Sequence, residues 1–359
     1  MDNLVKKENE KQDLQNEVMY SFKNDYSEGA HPNILKALFE SNMEQEEGYG
    51  EDYYCLEAAR VIKEKLYNPR AHIHFVSGGT QANLTVISSI LKPYESVIAA
   101  DTSHINVHET GAIEATGHKV NIATGEDGKL TPKAVKVILD MHTDEHMVKP
   151  RLVYISNSTE IGTIYKKREL EELSSFCKSN NLLLFLDGAR LGSALCAKDN
   201  DLSLKELSKL VDVFYIGGTK NGALLGEAIV INDDEIDRNF RFNIKQKGAM
   251  IAKGRILGIQ FLELFKEDLF FNLAKHANKM ASKLSENIEK LGYKSMIKST
   301  SNQIFIVLPN NLIKEMSKKY LFIKWSSIDD GNSAIRLVTS WATKEEAVDR
   351  FVEDLKRLI

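Results

Sequence analysis

The chain has 359 residues, 43% hydrophobic and 27% charged, so a core of normal size can form without disulfides or metals. Its net charge of −4, with 47 Lys and Arg against 51 Asp and Glu, lacks the clustered basic excess of nucleic-acid-binding proteins. The three cysteines have no metal-site spacing, the N-terminus has no signal-like apolar segment and no apolar run could span a membrane, which predicts a cytoplasmic protein.

The pattern along the chain predicts three regions. Residues 1–50 form an N-terminal arm, which is charged and weakly patterned at first and then helical from Pro32 to Asn42. Residues 51–256 form a large domain in which apolar strands alternate with helices, a pattern typical of a parallel sheet covered on both faces. Residues 257–359 form a small α+β domain, in which one long helix from Ile256 to Leu291 leads to three short strands.

The strands of the large domain end in polar or glycine-rich segments. In chain order the predicted strands are AHIHFVSGG, SVIAAD, RLVYISNS, LLLFLDGAR and VDVFYIGGTK. Parallel strands have their carboxyl ends at one edge of the sheet, and ligands of open α/β sheets bind at that edge. Residues that follow these strands are therefore the candidates for a functional site.

Lys220 follows the last of these strands, in the segment YIGGTKNGALLGEA. A lysine at the end of a buried strand is partly desolvated, which lowers the pKa of its amine and makes it a usable nucleophile. The alternative is a solvated lysine in a surface loop, since most lysines are exposed.

Asp187 follows the continuous apolar strand in LLLFLDGAR, one β-α-β step before Lys220. A carboxylate at that depth needs a partner. A protonated pyridine nitrogen is one possible partner, and a neighbouring arginine or backbone amide is another. Since strand ends one step apart can face the same crevice, we expect Asp187 and Lys220 to lie close together.

A glycine-rich turn joins a strand to a helix in FVSGGTQANL. Glycines let backbone N–H groups approach a ligand and a helix N-terminus favours an anion, so Gly79, Thr80 and Gln81 are candidates for binding a phosphate. The alternative is an ordinary strand–helix turn with Thr80 as the N-cap. The segment matches neither of the common glycine-rich nucleotide-binding motifs.

His104 follows the strand in SVIAAD, within ADTSHINVHETGA, where an imidazole could stack on a flat ring. The alternative is a packing or surface histidine. His108 lies four residues further on with Glu109 beside it, a spacing found in some metal sites. Because no third ligand is evident in the sequence, we expect no metal here.

These segments, in this order, resemble the threonine aldolase/β-eliminating lyase family of fold-type I pyridoxal-phosphate enzymes. The motifs SGGTQAN, TSHINVHETGA, LDGAR and GGTKNGALLGEA carry the resemblance, which runs from about Asn24 to the C-terminus. NDYSEGAHP and EGYGEDYY are similar to the family's N-terminal segment, and AIRLVTSW is similar to its C-terminal strand. The resemblance implies a large domain with a mostly parallel sheet flanked by helices, followed by a small α+β domain.

The resemblance also implies how the cofactor, pyridoxal 5'-phosphate, would be held. Lys220 would attach it covalently, Asp187 would pair with its pyridine nitrogen and His104 would stack on its ring. The other residues expected to contact the cofactor are Gly79, Thr80, Gln81 and Arg190.

The substrate implied by the resemblance is an amino acid. Its carboxylate would be bound by Arg190, in LDGAR, and by Arg336, in AIRLV, because an arginine fork matches a carboxylate. For Arg336 an ordinary salt bridge is the alternative. The chain departs from the family in one loop: many threonine aldolases have a histidine in an ENTH-type loop, where this chain has NSTEIGT with Glu160. Glu160, His108 or a water held by them would then accept the proton of the substrate hydroxyl.

The implied function is that of a low-specificity L-threonine aldolase, which cleaves 3-hydroxy-L-amino acids to glycine and an aldehyde. β-Elimination to a keto acid and ammonia, and transamination, would use the same Lys220, Asp187 and phosphate loop and are alternatives. A binding protein that keeps the fold without catalysis is a further alternative, although it would be expected to lack one of these two residues. An oligomeric scaffold is compatible with the same sequence.

The resemblance implies a homodimer or homotetramer with shared active sites, because enzymes of this family place the site at a subunit interface. The segment IKQKGAMIAKGR could supply cations to the phosphate of a neighbouring subunit through Lys245, Lys247 and Arg255. A solvated helix face is the alternative for these three residues.

Overall fold

The computed structural model describes residues 19–359. The first part of the predicted arm, residues 1–18, therefore lies outside the described residues. The described chain begins with a short strand, β1 (Tyr20–Ser21), and a helix, α1 (Pro32–Glu40). This helix agrees with the one predicted from the apolar spacing after Pro32, and Pro32 occupies its first turn, where the missing N–H is tolerated.

A seven-stranded sheet forms the centre of the described part of the molecule. Its strands are β2 (His72–Val76), β3 (Glu95–Ala100), β4 (Lys119–Ala123), β5 (Lys149–Ser156), β6 (Leu183–Asp187), β7 (Val213–Gly217) and β8 (Glu227–Ile231). The order across the sheet is β2-β8-β7-β6-β5-β3-β4. The strands from β7 to β4 are parallel, whereas β8 is antiparallel to both of its neighbours. The carboxyl end of β2 and the beginning of β8 therefore lie at the same edge as the carboxyl ends of the parallel strands.

Helices cover both faces of this sheet. They are α2 (Tyr53–Leu66), α3 (Gly79–Ile90), α4 (His104–Val107), α5 (Pro132–Met141), α6 (Lys167–Ser179), α7 (Leu191–Leu195), α8 (Leu204–Leu210), α9 (Asp234–Asp237) and α10 (Phe240–Gln246). Successive residues of β5 enter different hydrophobic clusters: Val153 and Ile155 pack in one, and Leu152 and Tyr154 in the other. Because both faces of the strand are buried, its sequence is a continuous apolar run, as predicted.

The predicted single helix from Ile256 to Leu291 is wrong, because the structure divides it into α11 (Arg255–Phe265) and α12 (Leu269–Lys290). Between them Glu267 and Asp268 have φ angles of 51° and 57°, which end the helical path. The rings of Phe265 and Phe270 stack 5.1 Å apart across the break. The apolar pattern thus continues where the backbone turns, which explains why the sequence indicated one helix.

A second, antiparallel sheet follows. Its elements and neighbours are β9 (Ser295–Ile297), β10 (Gln303–Pro309), α13 (Asn310–Met316), β11 (Tyr320–Leu321), β12 (Ile323–Ser327), β13 (Asn332–Val338) and α14 (Glu345–Arg357). The order is β12-β13-β10-β9, while β11 pairs in parallel with β1. Phe22, just after β1, is fully buried in the hydrophobic cluster of this region. The predicted boundaries at residues 50 and 256 stay predictions. No helix among residues 19–359 is long and apolar enough to span a membrane.

Candidate active site

The candidate residues named from the sequence follow different strands and meet at one edge of the central sheet. Asp187 is the last residue of β6, and Lys220 comes three residues after the end of β7. Gly79 follows β2, His104 follows β3 and Glu160 follows β5. Because these five strands run in the same direction, the turns after them share the carboxyl edge of the sheet.

Asp187 is buried and well supplied with hydrogen bonds. Its Oδ2 accepts hydrogen bonds from the Tyr154 hydroxyl at 2.5 Å and from Asn83 Nδ2 at 3.1 Å, and its Oδ1 accepts one from the backbone N–H of Ala189 at 2.9 Å. Burial raises the pKa of Asp187, but the hydroxyls of Tyr154 and Tyr215 outweigh it and the pKa lies below its ordinary value. No cationic side chain among residues 19–359 forms an ion pair with this carboxylate. Asp187 is therefore an ionised, buried carboxylate that can receive a cationic ligand.

The glycine after Asp187 is required by the close approach of two strands. A Cβ atom at Gly188 would lie 1.8 Å from the backbone oxygen of Tyr215 in β7. Only glycine fits there, which gives a packing reason for the LDG part of the LDGAR motif.

Lys220 is half-buried, and its amine has no hydrogen bond or ion pair with the rest of the described chain. Burial, followed by the positive charge of Arg190, lowers the pKa of Lys220. The carboxylates of Asp25, Asp187 and Glu227 oppose this shift in part. The structure thus places near Asp187 an unengaged amine that gives up its proton more readily than an ordinary lysine.

Glu227, the first residue of β8, is a component of the site that the sequence did not reveal. It is buried, and its carboxylate accepts hydrogen bonds from the backbone N–H of Gly218 at 3.0 Å and from the Thr219 hydroxyl at 2.9 Å. Burial raises the pKa of Glu227 to about 8, although the charge of Lys220 opposes the rise. Since β8 is the antiparallel strand, its beginning and not its end lies at the functional edge, and the pattern of continuous apolar strands did not signal this reversal.

The glycine-rich turn forms the N-terminus of α3. Gly78 is the N-cap residue, in an extended conformation and without a side-chain cap, so the alternative that Thr80 is the N-cap is wrong. Gln81 Oε1 accepts hydrogen bonds from the N–H and hydroxyl of Ser77, at 3.1 and 2.8 Å, and closes the turn. The backbone N–H groups of Gly79, Thr80 and Gln81 have no acceptor among residues 19–359. Three free donors at a helix N-terminus suit an anion.

His104 begins α4 and contacts two carboxylates. Its Nδ1 lies 2.7 Å from Glu109 Oε1, and its backbone N–H donates to Glu160 Oε1 at 3.0 Å. The rings of His104 and His108 are 5.6 Å apart. No group of three or more His, Cys, Asp or Glu side chains suited to a metal ion occurs in the part of the chain that the structure describes.

The pKa values of Glu160 and His108 are shifted in opposite directions, and both shifts favour the uncharged side chain. Burial raises the pKa of Glu160, while the Ser156 hydroxyl, which donates to Oε1 at 2.7 Å, opposes the rise. Burial lowers the pKa of His108, and the charges of His104, Arg336 and Lys220 add to that effect.

The two arginines predicted to bind the substrate carboxylate differ in their hydrogen bonds and ion pairs within the chain. Arg190 donates through Nε and Nη2 to Asp25, at 2.7 and 3.0 Å, so one edge of its guanidinium is already occupied. Arg336, on β13, lies with its guanidinium carbon 5.5 Å from the centroid of the Trp325 ring, and its buried Nε has no partner. Arg336 forms no ion pair within residues 19–359, so the ordinary salt bridge considered from the sequence is not formed there.

Two of the three cations considered for a neighbouring subunit, Lys245 and Arg255, contact the chain's own N-terminal region. Lys245 Nζ lies 4.6 Å from the centroid of the Tyr49 ring, and Arg255 donates to the backbone oxygen of Glu44 at 2.6 Å. Their use by a second subunit stays a prediction.

Comparisons with known proteins agree with this arrangement. The β-eliminating lyase family pattern matches residues 24–310. A solved threonine aldolase from Leishmania major is 51% identical, with a TM-score of 0.93, over 94% of this chain and 99% of its own. A low-specificity L-threonine aldolase from Pseudomonas aeruginosa is 32% identical over 93% of this chain and 96% of its own. An aspartate aminotransferase from Thermus thermophilus, 14% identical with a TM-score of 0.72, shares the fold alone, and these likenesses confirm the predicted fold class.

Proposed function

This chain belongs to the β-eliminating lyase family, and we propose that it is a low-specificity L-threonine aldolase that uses pyridoxal 5'-phosphate. It cleaves 3-hydroxy-L-amino acids to glycine and an aldehyde. The ionised Asp187 and the unengaged amine of Lys220, close together at one edge of the sheet, support the cofactor, and the similarity to threonine aldolases supports the reaction.

The residues at this edge fit pyridoxal 5'-phosphate. Asp187 is a buried carboxylate without a cation, which suits a protonated pyridine nitrogen, and the free N–H groups at the start of α3 suit a phosphate. A Cβ atom at Gly79 would lie 3.1 Å from the Tyr215 hydroxyl, so glycine keeps this space open. When bound, the cofactor supplies an electron sink for the pair released when a bond to Cα breaks.

Lys220 is the residue that would attach the cofactor. A lysine amine must lose its proton before it can act as a nucleophile, and its lowered pKa makes that loss easier. Asp187, held by Tyr154, Asn83 and the Ala189 N–H, would keep the ring nitrogen protonated.

The substrate carboxylate would be bound by Arg336 and by the unoccupied part of Arg190. The buried Nε of Arg336 lacks a partner, and a buried guanidinium N–H without an acceptor is unfavourable until a ligand supplies one. Asp25 fixes the direction of Arg190, because it accepts two hydrogen bonds from that side chain and one from Asn302 at 2.9 Å. Two arginines would then set the orientation of the amino acid.

The proton of the substrate hydroxyl would be accepted by His108 or Glu160. His108 has a lowered pKa and is a neutral imidazole at neutral pH, which leaves it able to accept a proton. Glu160, with its raised pKa, is a stronger base than an ordinary carboxylate. His104, whose backbone N–H is bound by Glu160, would lie against the cofactor ring.

A homo-oligomer is part of the proposal. Large apolar side chains that are mostly exposed in the single chain support it; they include Phe39, Met43, Tyr53, Leu56 and Phe242. A second copy of the chain would cover them. The three cysteines are free thiols, in keeping with a reducing, cytoplasmic location.

Product analysis tests the proposed reaction. The purified protein, supplied with pyridoxal 5'-phosphate and L-threonine, should form glycine and acetaldehyde in equal amounts. Formation of 2-oxobutanoate and ammonia would instead establish β-elimination, and amination of an added keto acid would establish transamination. The absence of any conversion, with the cofactor bound, would refute the assignment of an amino-acid lyase.

A further inference from the structure

Glu109 is a buried carboxylate that the proposed reaction does not use. Its side chain has no exposed surface. Its Oε1 lies 2.7 Å from His104 Nδ1 and 2.7 Å from Asn83 Nδ2, while its Oε2 has no partner in the described chain. A carboxylate shielded from water needs hydrogen-bond donors, and ring nitrogen Nδ1 can donate only when it carries a proton. The contact therefore fixes a proton on Nδ1 of His104.

The proton on Nδ1 determines what the other ring nitrogen of His104 can do. Nε2 has no hydrogen-bond partner within residues 19–359, and the state of one imidazole nitrogen is set by the bond that the other makes. The backbone N–H of the same residue donates to Glu160. Two carboxylates thus hold His104, one through the ring and one through the main chain.

Asn83 joins this pair to Asp187. Its amide nitrogen lies 2.7 Å from Glu109 Oε1 and 3.1 Å from Asp187 Oδ2, and an NH2 group has the two hydrogens that these bonds require. The reversed amide would place Oδ1 against two carboxylate oxygens, so electrostatic repulsion excludes it. Asn83 is fully buried, so no water competes for these two hydrogens.

The alternative is a purely structural role, in which Glu109 stabilises the loop after α4. Its backbone oxygen does accept a hydrogen bond from the Ala112 N–H at 2.9 Å. The carboxylate accepts no backbone N–H within the described residues, and its partners are the side chains of Asn83 on α3 and His104 on α4. The side chain is thus directed at the candidate site, away from its own loop.

We propose that Glu109 is the positioning residue of His104, and that Asn83 couples this pair to Asp187 by donating to both carboxylates. The inference rests on the proposed function, in which His104 lies against the cofactor and Asp187 pairs with its ring nitrogen. Removal of the Glu109 charge changes the tautomer and orientation of His104, whereas Asp187 and Lys220 can still hold the cofactor.

The state of His104 can be measured directly by nitrogen-15 NMR of the histidine-labelled protein without cofactor. Its signals are assigned by their loss in His104→Gln. The wild-type protein should show a protonated Nδ1, and Glu109→Gln should show a larger share of the form protonated at Nε2. An unprotonated Nδ1 in the wild-type protein would overturn the proposal. Because this measurement needs neither cofactor nor turnover, its failure is distinguishable from failure of the proposed function.

Kinetics of the holoenzyme provide a second readout. Glu109→Gln keeps the size of the side chain but replaces charge-assisted hydrogen bonds by neutral ones, so kcat should fall about 10-fold. The affinity for pyridoxal 5'-phosphate, followed by absorbance, should stay within about 2-fold because Asp187 keeps its own donors. A wild-type kcat in this variant would contradict the positioning role.

Asn83→Leu tests the coupling separately. Asp187 loses one donor, so cofactor affinity should fall about 10-fold, while Nδ1 of His104 stays protonated. Unchanged affinity would refute the coupling. The matched control is Asp234→Asn, which removes an exposed carboxylate from His72 on the edge strand β2. This control should alter neither the His104 signals nor kcat. If it lowered kcat as much as Glu109→Gln does, the Glu109 result would not be evidence for positioning of His104.

Discussion

Two histidine–carboxylate clusters in this chain have similar distances and different surroundings. The buried cluster consists of His104 and Glu109, 2.7 Å apart at the carboxyl edge of the sheet. The edge cluster lies on β2 and α9 and consists of His72, His74, Asp234 and Asp237. Its contacts range from 2.6 to 3.1 Å. Distance alone does not separate the two clusters.

Burial separates the carboxylates Glu109 and Asp234, whereas His74 and Asp237, 12% and 20% exposed, lie between these extremes. The side chain of Asp234 is 82% exposed, whereas that of Glu109 is 0% exposed. Water and salt screen an exposed pair, which contributes about 0–1 kcal/mol, but a buried carboxylate depends on the donors that the fold provides. The proposal therefore assigns different roles to the same residue types: Asp234 stabilises the surface, and Glu109 would set the state of His104. Substitutions near the buried cluster should alter chemistry, and substitutions in the edge cluster should alter only stability.

The largest effect is expected at Lys220, which lies at the same edge of the sheet as the buried cluster. Lys220→Ala removes the amine that would attach the cofactor, so glycine formation should fall by at least about 10³-fold. The melting temperature should be unchanged or higher, because the substitution removes a desolvated amine without a partner. Lys36→Ala, at an exposed position of α1, is the control. If Lys220→Ala turned over L-threonine nearly as fast as the control, Lys220 would not be required for catalysis.

The next largest effect is expected at Arg336. Its unpartnered Nε predicts that Arg336→Ala raises KM for L-threonine about 10- to 100-fold, since a hydrogen bond to a charged group contributes about 1.5–3 kcal/mol. Arg336→Lys keeps the charge but not the forked guanidinium, so its KM for L-threonine should lie between those of the wild type and Arg336→Ala. Steady-state kinetics at saturating cofactor measures both variants. An unchanged KM would show that the substrate carboxylate binds elsewhere.

Glu227 should make stability depend on pH. Its pKa in the folded protein is raised to about 8 from an ordinary 4.5, chiefly by burial. The folded protein therefore retains a proton that the unfolded chain releases above pH 4.5. The stability from this group is present in full below pH 4.5 and is lost as pH rises through 8.

Glu227→Gln isolates this effect because the neutral amide resembles the protonated carboxyl. The difference in melting temperature between the variant and the wild type, both without cofactor, should shift in favour of the variant as pH rises from 5 to 9. A difference in melting temperature that stays constant from pH 5 to 9 would show that Glu227 is ionised throughout this range.

The smallest effect is expected in the edge cluster. Asp234→Asn removes an exposed carboxylate from His72, so the free energy of unfolding should change by less than about 1 kcal/mol, and less in high salt. Denaturant unfolding measures the free energy of unfolding, and steady-state kinetics measures kcat, which should not change. A loss of kcat comparable with that of Glu109→Gln would contradict the contrast between the clusters.

The fold and the ends of the parallel strands could be predicted from the sequence because both follow from local patterns. A strand buried on both faces is a continuous apolar run, and the residue that ends such a run, as Asp187 does, lies at the functional edge. The break between α11 and α12 could not be predicted, since Phe265 and Phe270 continue the apolar pattern across it.

The supporting residues of the site were beyond the sequence for a different reason. Tyr154 and Tyr215 lie inside apolar strands and have the pattern of core residues, yet both affect Asp187. Asn83 lies within a helix, where nothing local indicates that its amide joins two carboxylates. Such contacts link residues that are distant in the chain, and only the packed structure brings them together.

The central claim is that Lys220 attaches the cofactor, and borohydride reduction followed by peptide mapping tests it most directly. The protein loaded with pyridoxal 5'-phosphate, reduced and digested, should yield a single pyridoxyl-modified peptide with the modification on Lys220. Modification of a different lysine, or no modification although the cofactor is bound, would contradict the account.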